Sequence, residues 1–465
     1  MSHGAAGRSE QVPDEIFFLE EHTMKAEQKT LERQFIRYVS LNILAMLGTS
    51  CYILADTFFI ANGIGADGLT ALNVAISLYS YQYSIALLLG IGGATRFAVC
   101  KSRHDLQMAN RVFTHTVVVG AAVSLCIGVL CNIWLPQIAG FLGAEGVILR
   151  LTVEYMRVIF SFAPFIILNQ IMIAFIRNDG NPKLATVALL VSNAANIILD
   201  YIFIYPFGWG MFGAAFATAL SPVISLCILT FHIAKKKNTF HLVKTKISFR
   251  LTIDCCKLGT SSMVNELSVG LVVMIFNFLF FGLGGNTAVA AYGVVANCAI
   301  VGTAVFTGIA QGMQPLVSHA YGSSHTRQLR QILIYGCVTA MSIAVVLVIG
   351  VNVFDDQIVS IFNKEKDPLL QEIARGGLCI YFFGYFAACL NIVLAGYFSA
   401  MERADLGFLI SLMRGLAVIA PAAFILAKVF GMTGVWIAVP VAEVLTLVIS
   451  VIMVRFSLKK REQSV

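Results

Sequence analysis

Two carboxylates stand where hydrocarbon is expected. Asp200 lies in NAANIILDYIFIY (residues 193–205) beside Asn193 and Asn196, and Asp56 lies in YILADTFFIANGIG (52–65), one helical turn after Tyr52. A carboxylate at the centre of a bilayer costs roughly 2.5–3.5 kcal/mol even on the lenient insertion scale. Residues spaced i, i+4 share a helix face, so Asn196 with Asp200, and Tyr52 with Asp56, each put two oxygen-bearing groups on one side. Carboxylate and amide oxygens suit a hard cation. Two neighbouring carboxyl groups out of water could equally hold a proton, because both cannot ionise cheaply. The structural alternatives are a buried donor for each acid, or reach of Asp56 to the outer interface.

Three more charges fall near mid-depth of apolar tracts: Glu266, Arg414 and Glu443. Arg414 and Glu443 sit on neighbouring antiparallel tracts and are expected to form a buried ion pair, each shielding the other from lipid. The functional alternative is a relay or substrate contact with Glu266 as third member. Glu154 and Arg157, three residues apart, are expected to pair locally, and Arg96 to snorkel to the membrane face near Lys101.

These residues need a membrane-spanning scaffold. Of the 465 residues, 58% are hydrophobic and 12% charged, with a mean hydropathy of +0.82. Soluble domains carry about 25% charged residues. Apolar tracts long enough to cross a bilayer occur twelve times, near 38–61, 71–98, 113–135, 153–176, 184–205, 211–234, 257–281, 288–315, 331–353, 378–400, 406–427 and 432–455. The class is an all-α, polytopic membrane protein.

Loop charge sets the orientation. The segments before the first tract, after the last and between alternate tracts hold about 23 Lys and Arg, against about five in the other set. The richest connection is KKKNTFHLVKTKISFR (235–250). By the positive-inside rule it and both termini face the cytoplasm of a prokaryotic inner membrane. The +7 charge then reflects topology and anionic lipid, and no nucleic-acid partner is expected. The start of the chain, with Glu10, Asp14, Glu15, Glu20 and Glu21, lacks the basic-then-apolar pattern of a targeting peptide. The eleven cysteines form no C-x-x-C, which argues against a disulfide framework or zinc site.

An internal repeat decides the architecture. GMFGAAFATALS (210–221) returns as GMTGVWIAVPVA (431–442), and FFIANGIGADGLTALNVAISL (58–78) returns more weakly as FLFFGLGGNTAVAAYGVVANC (278–298). Residues 1–37 read as a polar segment, 38–234 as a first six-helix lobe, 235–256 as a basic linker, 257–455 as a second lobe and 456–465 as a tail. Parallel repeats of this kind suit alternating access around a central site. The acid pair belongs to the first half alone, for Asp56 corresponds to about Ile275 and Asp200 falls near Pro421 or Ala422.

On these residues the chain resembles the MATE (multidrug and toxic compound extrusion) family, in its DinF-like prokaryotic branch. The resemblance spans about residues 35–460 and rests on YILADTFFIANGIG, NIILDYIFIY (196–205), GAAFAT (213–218) and GMTGVWIAVPVAE (431–443). It implies twelve helices in two pseudo-symmetric bundles around a V-shaped cavity. The implied activity is export of organic cations and other xenobiotics in exchange for Na⁺ or H⁺, with no cofactor besides the coupling ion. It also implies a first-lobe cation site, Na⁺ included, at Asp56, Asn196, Asp200 and Thr218, with Tyr52 alongside. Expected partners are drug-like small molecules and membrane lipid, and the expected state is a monomer. Two features depart from the pattern. Leu41 replaces a proline common in the first helix of that branch, and Glu266 lies about three residues before the seventh-helix glutamate of another branch.

A flippase for lipid-linked saccharide precursors is the alternative of related architecture, expected to show several cavity arginines in place of the acid pair. An integral membrane enzyme is disfavoured, because the eight His form no H-x-x-x-H or H-x-x-E pattern. No G-x-x-x-x-G-K-[ST] motif occurs, which points to an ion gradient as the energy source.

Overall fold

A computed structural model describes residues 14–236, 238–363 and 367–462, with side chains described between 28 and 453 except at residue 66. Residues 1–13 of the polar segment, Lys237 of the linker, 364–366 and 463–465 lie outside the described residues.

Helices α1 (Asp14–Gly63), α2 (Ala66–Ser102), α3 (Leu106–Phe141), α4 (Gly146–Ser161), α5 (Ala163–Asn178), α6 (Pro182–Ile204) and α7 (Gly210–Ala234) build the first half. The second comprises α8 (Phe249–Gly322), α9 (Thr326–Val353), α10 (Asp355–Phe362), α11 (Pro368–Phe383), α12 (Tyr385–Ala400), α13 (Ala404–Leu412), a π-turn at Met413–Ala417 and α14 (Ile419–Glu462). Eight of these stretches are long and apolar enough to cross a bilayer, and the bent pairs α4–α5 (54°) and α11–α12 (47°) make ten. Two stretches are broken by a glycine. Gly285 in α8 has φ 64°, ψ −152°, and Gly431 in α14 has φ 60°, ψ −137°, a region that a side chain with a Cβ rarely enters. Counting each broken stretch as two spans gives twelve.

The backbone repeats the sequence repeat. Gly285 aligns with Gly65 (φ 94°) and Gly431 with Gly210 (φ 54°). Two turns outside the quoted motifs recur at nearly the same separation: His104 (φ 61°) with Ser324 (φ 60°), and Gly180 (φ 96°) with Glu402 (φ 57°). The halves therefore share their turns even where their side chains have diverged.

Several boundaries differ from the sequence reading, each for a local reason. Segment 1–37 is not separate from the first span. Helix α1 begins at Asp14, and its Leu31, Phe35 and Val39 pack into the core of the second half. Ser248 accepts the Leu251 N–H and starts α8 at Phe249, so 249–256 is helix and not linker. An additional short helix, α10, occupies the 354–377 connection and is tied down by Arg375 Nε on Asp355 at 3.2 Å.

The linker is strapped to the first half. Phe240, 1% exposed, packs tilted against Phe113 (4.4 Å between centroids) and edge-on to Phe97 (6.0 Å) and Phe175 (6.2 Å). Asp179 accepts from Lys101 Nζ at 2.7 Å, His232 Nε2 at 3.0 Å and the Thr239 N–H at 2.9 Å. The N–H groups of His241, Val243 and Ser248 reach side chains of α3 at 2.8, 3.0 and 2.9 Å. Phe240→Leu is expected to cost about 1 kcal/mol, as for a core swap that loses shape. It should lower the melting midpoint and speed tryptic cleavage at exposed Lys244. Unchanged melting and cleavage would mean that the strap contributes nothing.

Candidate cation site between two apolar clusters

The apolar core of the first half is split. One cluster, with Phe97, Phe113, Phe175 and Phe240, fills the end that carries the basic loops. The other, with Ile60, Leu72, Met156 and Ala215, fills the opposite end. In the layer between them the same helices turn polar residues inward: Asp56 on α1, Gln82 on α2, Asn169 on α5, and Asn196 with Asp200 on α6, all buried. The core of the second half is one continuous cluster.

The layer brings the two acids together. Asp56 is 8% and Asp200 0% exposed, and their carboxyl groups lie close enough to interact directly across α1 and α6. Such contact requires a proton between them or a cation beside them. With its amide oriented to satisfy both ends, Asn196 donates to Asp200 Oδ2 at 3.1 Å and accepts from Thr218 Oγ1 and the Thr218 N–H, both at 3.3 Å. Asp56 Oδ1 and Asp200 Oδ1 have no protein donor. Two carboxyl groups thus meet an amide and a hydroxyl in a buried layer, a set of groups that can hold a proton or, with the amide turned to present its oxygen, a hard cation.

Tyr52 lies close to Asp56, Tyr79 and Tyr83. Sequence reasoning passed over three further tyrosines. Tyr155 on α4 lies beside Thr218 and both acids, while Tyr79 and Tyr83 on α2 stack at 5.8 Å. For Tyr155 a signal existed, because it shares the buried stripe of α4 with Thr152, Met156 and Ile159. Asn193 stands apart from the acids and donates to Thr49 at 3.2 Å. At the departure from the family pattern, the Leu41 carbonyl accepts from Thr186 Oγ1 at 3.1 Å, which ties α1 to α6.

In the second half, Arg414 Nη2 meets Glu443 Oε1 at 2.8 Å and its Nε meets Oε2 at 3.4 Å. Arg414 Nη1 donates to Asn265 at 2.5 Å, and Asn391 donates to Glu443 Oε2 at 2.8 Å. Arg414 itself sits in the π-turn, an irregularity that often accompanies polar sites. Glu266 is outside this network. It lies within electrostatic reach of Tyr79 and Tyr83 on the first half.

Two local expectations fail. Glu154 does not pair with Arg157 among the described residues; its Oε1 accepts the Phe212 N–H at 3.2 Å, where the start of α7 offers an unpaired donor. Arg96 does not snorkel, for it reaches Glu402 of the other half at 2.5 Å. Arg177, counted from sequence as a loop cation, is 3% exposed and joins Asn42 to Gln311 of α8 at 2.8 Å each.

These cross-half bonds gather at the basic end. There Gly92 and Gly259 let α2 and α8 touch, since a Cβ on either would lie 2.1 Å from the Cys255 carbonyl or 2.0 Å from that of Leu88. Asp56 is fourteen residues beyond Asn42 on α1, about 21 Å farther along the helix axis at 1.5 Å per residue.

A family model described as MatE matches residues 42–202 and 262–425. The chain is 25% identical over 414 residues to the multidrug export protein MepA of Staphylococcus aureus strain MSSA476, covering 88% of this chain and 91% of that one. It is 23% identical over 405 residues to MepA of Staphylococcus saprophyticus, covering 87% and 89%. Among solved structures, it superposes with a TM-score of 0.88 on one described as the outward-facing conformation of a multidrug resistance MATE family transporter of the MOP superfamily. That match has 21% identity and covers 93% of this chain and 97% of the other. The fold is the twelve-helix, two-lobe architecture of these neighbours.

Proposed function

The chain belongs to the MatE family, and on that premise we propose that it is a cation-coupled antiporter that exports drug-like organic cations by alternating access. The coupling ion, Na⁺ or H⁺, binds at Asp56 and Asp200, with Asn196 and Thr218 as neutral ligands and Tyr52 and Tyr155 around them. The observation that carries this reading is the pair of buried carboxyl groups in contact within the polar layer. Such a pair is costly in every state except the one in which a proton or cation occupies it.

In this arrangement the basic end is closed. The positive-inside rule makes that end cytoplasmic, so the arrangement corresponds to an outward-facing state of a prokaryotic inner-membrane carrier. Glu266, with Tyr79 and Tyr83 opposite, supplies a negative charge and aromatic faces, the chemistry that holds a flat cation. The flippase alternative would call for several cavity arginines in place of the acid pair, yet both acids are present and Arg96 and Arg414 are each matched with a glutamate.

The direct test is ethidium efflux from everted vesicles with Na⁺ and pH gradients imposed separately. Dye movement that follows neither gradient would overturn the antiport reading. Orientation has its own test. Lys244→Cys, in a functional background without accessible native thiols, should react with an impermeant maleimide only from the cytoplasmic side, and labelling of intact cells would reverse the topology.

A further inference from the structure

One cation is buried without an anion. Arg177, on the last turn of α5, donates from Nη1 to Asn42 Oδ1 and Gln311 Oε1, each at 2.8 Å, and from Nη2 to Gln314 Oε1 at 3.5 Å. All three acceptors are neutral amide oxygens, and Nε has no protein acceptor. A guanidinium keeps its charge at any physiological pH, and a buried charge without a counter-charge is strongly disfavoured. The carboxylates Asp179 and Glu402 are engaged elsewhere, Asp179 with Lys101, His232 and Thr239, and Glu402 with Arg96.

Arg177 also lines a cavity of about 20 Å³ in the first half, together with Tyr83 and Gln170, to which the second half contributes Gln311. No Asp or Glu lines it. Gln170 Nε2 donates to the Tyr83 phenol oxygen at 2.5 Å, which leaves the phenol's own O–H free to donate elsewhere. The space holds one small species, and its polar lining is rich in donors.

We propose that this cavity binds a chloride-sized monovalent anion that neutralises Arg177. Gln311 reaches the site from the second half, so the anion favours the arrangement joined at this end, by differential affinity for the two access states. The inference is independent of the acid pair in the polar layer, and either can fail without the other.

The test uses the full-length protein in nanodiscs, melted in sodium chloride and in sodium gluconate at equal ionic strength, so that Na⁺ is constant. The melting midpoint of the parent should rise with chloride along a saturating curve and stay flat in gluconate, and Arg177→Gln should be flat in both. Should that variant not fold, Tyr83→Phe keeps the guanidinium and removes one donor; it should raise the half-saturating chloride concentration about tenfold. In bromide-soaked crystals of the parent, an anomalous peak should lie beside Arg177. Identical melting in the two salts with no such peak means water alone fills the cavity and overturns the proposal. A chloride response that persists unchanged in Arg177→Gln overturns it as well.

Discussion

Asp200→Asn is expected to abolish gradient-driven export while leaving the protein folded. The substitution keeps the shape of the side chain and an oxygen for Asn196, and replaces the other carboxyl oxygen with an NH2 that cannot ionise. Asp200 is 0% exposed, yet an isosteric neutral amide in a dry polar layer relieves a buried charge and does not create one. Stability should therefore change by no more than about 1 kcal/mol. Transport depends on something else. An ion drives alternating access only if it binds the two states with different free energies, and a site that no longer discriminates shifts nothing however much ion is supplied. Asp56→Asn should behave alike, because the contact that needs a proton or cation involves both carboxyl groups. Drug binding should survive in both variants, since the cavity surface is larger than the ion site. The readouts are dye efflux in everted vesicles and the ion-dependent change in intrinsic fluorescence, and both should vanish. Efflux at the parental rate in Asp200→Asn would remove the first-half site from the mechanism and move attention to Glu266.

The second large effect is expected at Arg414 and Glu443. Neutralising either one leaves the other buried with amide partners only, Asn265 for the arginine and Asn391 for the glutamate. Breaking a buried pair from one side costs roughly 3–5 kcal/mol, so Arg414→Met and Glu443→Gln should each lower the melting midpoint in detergent sharply. The double variant should recover part of that loss, because no unpaired charge remains. Losses that simply add would mean that the two groups do not act as a pair. Efflux in the double variant, once corrected for the amount of folded protein, tells a structural pair from a relay. A pair that only holds helices together leaves the rate near parental, whereas a relay loses it.

The amino-acid sequence alone determined the lipid-facing class of this protein, its twelve spans and its two-fold repeat. These are local or periodic properties. Hydrocarbon thickness selects tracts of about twenty apolar residues, and a charge inside one is conspicuous because it is costly. The same logic singled out Asp56 and Asp200. Even the positive-φ positions that break α8 and α14 are visible as glycines in the repeated motifs. Only the tertiary structure decided who meets whom. Asp56 and Asp200 are 144 residues apart in the chain and meet because α1 packs on α6 with those faces inward, while Tyr79 completes the surroundings from α2 and Tyr155 from α4, whose apolar stripe marks a buried face but not the partner it meets. Local spacing suggested Arg157 for Glu154 and the membrane face for Arg96. The fold instead offered the open N-terminus of α7 and a glutamate from the other half. Arg177 went unnoticed because a basic residue at the end of a span looks like a loop cation until a second lobe closes over it. Spacing along one helix fixes which side chains share a face, but the partner across that face comes from helix packing, in which desolvation rewards whichever opposite charge or open backbone donor is brought within reach.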